Sequence, residues 1–151
     1  KMYDTFAKQA APLGIIFTLI ALLTGSLWGK PMWGTWWIWD ARLTSELILL
    51  FLYAAYCLLD QSLGQSTQNP KACAVLGVIG MVDVPIIHYS VKWWHTLHQG
   101  STLTLFSKPT IHGDMLKVLL VMILGFMTFF FWIWLTRVRA DLSYRQNIGR
   151  Y

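Results

Sequence analysis

Pro31-Met-Trp-Gly-Thr-Trp-Trp-Ile-Trp-Asp40 puts four of the chain's nine tryptophans into one short connection. The segments on either side of it are apolar enough to cross a bilayer. Tryptophan is bulky, flat and amphipathic, with one hydrogen-bond donor and no acceptor, so this run commits a large aromatic surface to one place. In a soluble core it would be an overpacking hazard. At a membrane–water boundary two roles stay open: a belt at the lipid headgroups, or a platform for a large planar ligand.

The composition around that stretch decides the class. The 151 residues are 56% hydrophobic and 13% charged, against about 25% charged in an ordinary soluble domain. The apolar residues form four long runs, at about 10–27, 43–59, 72–91 and 115–135. Each approaches the roughly 20 residues a helix needs to cross the hydrocarbon. Backbone polar groups must be satisfied internally there, so the expected fold is all-α integral membrane with four transmembrane helices.

The net charge of +5 does not point to nucleic acid. The basic residues form no stripe with interleaved aromatics, and Arg137, Arg139, Arg145 and Arg150 cluster in the tail, as a juxtamembrane positive-inside segment would. No secretory signal is evident, because the first apolar run is long enough to span and lacks a small-residue cleavage pattern. The opening Lys1-Met2-Tyr3 suggests that residues lie upstream. Cys57 and Cys73 fall near span ends on the side assigned below to the cytoplasm, where thiols stay reduced and pack as small hydrophobes. There is no Cys-x-x-Cys-His for covalent haem attachment.

The connections differ in character. Residues 60–71, with Gly64, Asn69 and Pro70, read as a polar surface loop. The aromatic connection 28–42 and the connection 92–114 hold most of the tryptophans and three of the four histidines. With four spans these two share one face. Seven basic residues fall on the tail side and five on the side of the rich connections (Lys30, Arg42, Lys92, Lys108, Lys117). The tail is therefore expected in the cytoplasm and the aromatic face on the outer, periplasm-equivalent side.

Several residues there have chemistry to offer. Trp33, Trp36 and Trp37 follow i, i+3, i+4 spacing and would share one side of a helix, with Gly34 permitting close approach beside them. Asp40 is placed to cap the second span. Arg42 and Glu46 have the spacing of a helical ion pair, or Arg42 faces a ligand carboxylate instead. Asp83 is an ionisable group within a span, functional by default, and Pro85 should kink that helix. His95 and His98 would share a helical face, as would Trp94 and His98. A zinc site would need more ligands around them. Taken singly, each histidine reads as structural or interfacial, and His112 stays unassigned. The combination says more: a planar aromatic loop and a histidine loop on one face suit an axially ligated porphyrin. His98 or a neighbour would meet iron, and Arg42, Lys92 or Lys30 would meet propionates. No nucleophile–base arrangement or phosphate-cradling glycine loop is evident.

Trp33-Gly-Thr-Trp-Trp-Ile-Trp-Asp40 resembles the signature of the tryptophan-rich haem-handling superfamily. One branch is closer still. Gly25-Ser-Leu-Trp-Gly-Lys-Pro-Met-Trp, Asp40-Ala-Arg-Leu-Thr-Ser-Glu46, Pro85-Ile-Ile-His-Tyr-Ser-Val-Lys-Trp-Trp and Thr96-Leu-His-Gln-Gly-Ser101 resemble, in that order, the cytochrome c maturation protein C (haem exporter protein C) family. The resemblance is strong from about residue 10 to 101 and weak over the last span.

It implies a six-helix protein, of which these four helices are the C-terminal part. The whole chain would be a single transmembrane haem-handling domain in a bacterial inner membrane, or less expectedly a mitochondrial one, with the rich loops periplasmic. Haem b would be bound non-covalently by His98 as one axial ligand, with a second histidine upstream, beside Trp33, Trp36, Trp37, Trp39, Asp40 and Arg42. The function implied is delivery to a periplasmic haem chaperone during c-type cytochrome biogenesis, without enzymatic turnover. The implied partners are that chaperone, a small single-span accessory subunit, ATP-binding-cassette transporter subunits that hydrolyse ATP, and membrane lipid. Two other functions compete: a cytochrome c synthetase (haem lyase) of the same superfamily, and a structural membrane subunit without haem.

Overall fold

The computed structural model describes residues 2–63, 69–100, 109 and 111–148. Its elements are α1 (Met2–Trp33), α2 (Ala41–Leu63), α3 (Asn69–Trp93) and α4 (Gly113–Ile148). All four are long and apolar enough to cross a membrane. They contain the four expected runs and extend past them at both ends. The loop expected over 60–71 is shorter than its composition suggested. Helix α2 continues to Leu63, and α3 starts at Asn69 with Pro70 in its first turn, where a missing N–H costs nothing; residues 64–68 lie outside the described set.

The chain forms two compact units, residues 1–99 and 100–151. In the first, α1 and α3 both pack against α2. The α1–α2 pair is antiparallel: Lys8 Nζ meets Asp60 Oδ1 at 2.6 Å near one end, and Gly14 faces Tyr53 one layer further in. Helix α3 runs through Pro85 without interruption to Trp93.

The buried set is telling. Beside Ala11, Leu13, Leu22, Leu43 and Leu49 it holds Thr5, Thr18, Ser45 and Ser90, while large apolar residues such as Leu23, Phe51, Val78 and Met81 are exposed. Water-soluble proteins sort the other way. In lipid, helices gain little from hiding leucine from a solvent that is itself apolar, so they associate through small residues that let backbones approach. The serine hydroxyls satisfy themselves within their own helices: Ser45 Oγ donates to Ala41 O at 2.6 Å and Ser90 Oγ to Ile87 O at 2.8 Å. An apolar cleft of about 310 Å³ lies between the three helices, its wall mixing small residues such as Ala11 and Gly77 with larger ones such as Leu49, Tyr53 and Met81.

In the second unit, α4 exposes Val118, Leu124, Phe126, Phe129 and Trp132. Its polar end carries Arg137 and Arg139, and Arg145 bonds Asp141 at 2.9 Å across one turn.

Gly14 is the tightest approach in the first unit. A Cβ there would lie 2.7 to 2.8 Å from the ring of Tyr53. Gly14→Leu should therefore cost about 1–3 kcal/mol in a detergent-unfolding titration. Combined with Tyr53→Ala, the loss should be clearly smaller than the sum of the two single losses. Strict additivity would show that this contact does not set the α1–α2 spacing.

Candidate functional site

The site grows from the way α1 stops. Gly34 adopts φ +78°, and its N–H donates to Lys30 O at 3.0 Å. That is the left-handed cap in which the residue after the helix returns a bond to its last turn. Lys30 Nζ closes the turn from outside, donating to Gly34 O at 3.1 Å and lying 5.8 Å over the Trp36 ring. Helix geometry thus ends at Trp33. Trp36 and Trp37 lie beyond it, so the shared helical side expected for Trp33, Trp36 and Trp37 does not form. The glycine that was expected to ease approach instead turns the chain.

Beyond that turn the connection folds on itself. Thr35 Oγ1 contacts Trp37 O at 3.1 Å. Asp40 then opens α2 as expected: its Oδ1 accepts the Leu43 N–H at 2.8 Å, and its carbonyl accepts from Thr44 N–H at 3.0 Å. This leaves Trp36 and Trp39 exposed and Trp33 and Trp37 half-buried. Trp37 meets Trp39 edge-on at 5.5 Å, and Trp28 meets Trp33 edge-on at 5.3 Å. The Trp37 Nε1 is buried without a partner among the described residues. Such an orphaned donor is the kind of group a ligand satisfies.

Helix α3 delivers the histidine. It ends at Trp93, so His95 and His98 share no helical face, and neither do Trp94 and His98. What holds His98 is a side-chain turn: its backbone N–H donates to Thr96 Oγ1 at 2.9 Å. Serine and threonine hydroxyls compete in this way with helix bonds and stop the helix from continuing. The turn brings His98 onto the α1–α2 connection. Its Nδ1 lies 2.7 Å from Asp40 Oδ2, and its ring meets Trp33 edge-on with centroids 4.6 Å apart. Among the described residues, the two rich connections do meet at one end of the helices.

Other candidates sit differently. Arg42 and Glu46 are half-buried and form no ion pair among the described residues, although Glu46 is within electrostatic reach of Arg42 and His98. Asp83 is buried, with Oδ2 unpartnered among the described residues. His88 packs edge-on against Tyr89, which stacks on Trp93 at 5.4 Å with Lys92 Nζ 5.6 Å over its ring. The second half of the histidine loop, 101–108 and 110, lies outside the described residues. No group of three or more His, Cys, Asp or Glu that would hold a bare metal ion occurs among the described residues.

These features define a class: a multi-pass helical membrane protein whose helix ends gather an imidazole, a buried carboxylate and a bank of indoles. The comparisons then give the family. The model of the heme exporter protein C family matches residues 1–150. The chain is 49% identical over 132 residues to heme exporter protein C of Haemophilus influenzae, an overlap of 87% of this chain and 54% of that protein. It is 58% identical over 102 residues to heme exporter protein C of Escherichia coli, covering 68% of this chain and 42% of that one. A Marchantia polymorpha protein named as ccmC-like and mitochondrial is 44% identical over 147 residues, 97% of this chain and 59% of its own. This chain belongs to the heme exporter protein C family. It spans about half the length of these relatives.

A Cβ at Gly34 would meet nothing within 4 Å, so only its φ of +78° resists substitution. Gly34→Ala should lower the thermal midpoint by an amount equivalent to about 1–2 kcal/mol, and Gly34→Asn by less, because asparagine tolerates the left-handed region. Equal midpoints for both variants and the parent would show that the cap does not hold this turn.

Proposed function

We propose that this chain binds haem b non-covalently at the outer face of the membrane and presents it to a periplasmic haem chaperone during c-type cytochrome biogenesis. The observation that carries this reading is the cluster at His98. Its imidazole is held through Nδ1 by Asp40 and flanked by Trp33, which leaves Nε2 as the nitrogen not engaged by the carboxylate. Family membership supports the same reading, since the relatives are named as heme exporters.

The residues suit a porphyrin better than a bare metal ion. One imidazole and several indoles offer one axial bond and a wide flat apolar surface, where a closed metal site would need three or four ligands. Haem, when bound, would supply an iron centre that accepts nitrogen ligands. His98 would give one axial nitrogen, and the second axial ligand would come from outside the described residues. Trp36 and Trp39, at 54% and 75% exposure, keep indole surface available to a flat ligand. Trp33, packed against His98, would line the site, and Trp37 Nε1, unpartnered among the described residues, would be free to meet a ligand. Arg42, at the first turn of α2, would meet a propionate.

Delivery rather than turnover is the consequence. A site with one held ligand and exposed indoles suits binding and release. The proposed partners are the chaperone, a small single-span accessory subunit, and ATP-binding-cassette transporter subunits whose ATP hydrolysis frees the loaded chaperone. The proposed location is a bacterial inner membrane with the aromatic and histidine loops periplasmic. A mitochondrial inner membrane is the alternative that the Marchantia relative keeps in view.

The test uses the full-length protein in its complex. His98→Ala should abolish the low-spin bis-histidine absorption spectrum. Trp36→Leu with Trp39→Leu should reduce chaperone loading several-fold at nearly unchanged thermal stability, because both side chains are exposed. An unchanged spectrum in His98→Ala would overturn the ligand assignment.

A further inference from the structure

Asp40 is the most constrained polar side chain of the site. It is only 6% exposed, and both its oxygens are engaged. Oδ1 accepts the Leu43 N–H at 2.8 Å, which anchors the carboxylate to the first turn of α2. Oδ2 lies 2.7 Å from His98 Nδ1, across a sequence separation of 58 residues. His98 itself is 18% exposed. An ionised carboxylate only accepts hydrogen bonds, so a neutral imidazole paired with it at this distance carries its proton on Nδ1 and its lone pair on Nε2.

We infer that Asp40 is the positioning residue for the haem ligand: it fixes the tautomer, orientation and donor strength of His98 from the N-terminus of α2 without touching haem itself. This inference rests on the haem reading above and deepens it. A histidine that binds a metal commonly gives its other N–H to a carboxylate or carbonyl, which orients the ring and strengthens its donation. Here the orienting group is also a helix cap. The ligand is thereby tied to a rigid element rather than to the mobile rotamers of a loop. Trp33, packed edge-on at 4.6 Å, restricts the imidazole from another side.

The shared carboxylate makes a sharp test possible, because cap and ligand contact can be separated. Asparagine caps a helix about as well as aspartate. Its amide has only one oxygen. If that oxygen keeps the Leu43 bond, the NH₂ faces His98 Nδ1 and donates to it. Nδ1 must then accept, the proton moves to Nε2, and the nitrogen needed for iron is blocked. Serine also caps well, but it is too short to reach His98 and leaves the tautomer free. A merely structural carboxylate would predict no difference between the two variants.

The experiment compares Asp40→Asn, Asp40→Ser and His98→Ala in the full-length protein within its complex, by haem titration, spectroelectrochemistry and thermal unfolding. Asp40→Asn should weaken haem binding by about 10–100-fold, with unfolding near that of the parent. Asp40→Ser should lose less affinity at similar stability. If the loss falls on the ferric form, tenfold weakening corresponds to a rise of 59 mV in reduction potential. Asp40→Asn and Asp40→Ser matching the parent in affinity and potential, while His98→Ala loses the spectrum, would overturn the positioning role and leave the haem reading standing. Equal losses in both variants that merely track a fall in thermal stability would overturn it too. Retention of the spectrum in His98→Ala would instead remove the haem reading on which the inference rests.

Discussion

One carboxylate joins the two halves of this site. Asp40 stands where the tryptophan-bearing connection becomes α2, and its second oxygen reaches the imidazole that follows α3. Without that contact the aromatic turn and the histidine segment would be separate loops at the ends of separate helices. With it, Trp33, Asp40 and His98 form one cluster whose geometry is inherited from α1, α2 and α3. The rest of the unit is arranged to make the contact possible. Small residues let the three helices approach, and a left-handed glycine ends α1 early enough for the chain to turn back over their ends.

The bilayer explains why the scaffold takes this form. Apolar residues gain little by leaving a hydrocarbon solvent, so threonines and serines share the interior with a few leucines while many large apolar side chains, Phe51, Val78 and Met81 among them, face outward. Ser45 and Ser90, which enter the interior, satisfy their hydroxyls on their own helices. Asp83 Oδ2 and Trp37 Nε1, by contrast, lack a partner among the described residues. Among the described residues irregular backbone is confined to the helix ends, and that is where the indoles, Asp40 and His98 collect.

Much of this was legible in the sequence. Four apolar runs announced four helices, because span length is set by the bilayer and not by tertiary context. The cap at Asp40 was legible as well, since capping is a local contest between a side chain and the first backbone N–H groups. The errors came where local spacing was extended too far. Trp33, Trp36 and Trp37 have helical spacing, yet Gly34 ends the helix between the first and the others. His95 and His98 have it too, yet the Thr96 hydroxyl turns the chain after Trp93. The partnership of Asp40 with His98 left no local mark, because the two are 58 residues apart and each has an adequate structural role alone. Family resemblance pointed to both residues, but only the fold put them in contact.

The central claim is that His98 offers Nε2 to haem because Asp40 holds Nδ1. A structure of the haem-loaded full-length complex tests it most directly. The account predicts iron bonded to His98 Nε2, Nδ1 still paired with Asp40, and the porphyrin lying against the exposed faces of Trp36 and Trp39. Iron bonded elsewhere while His98 remains paired with Asp40, or iron on Nδ1 with the carboxylate displaced, would contradict it.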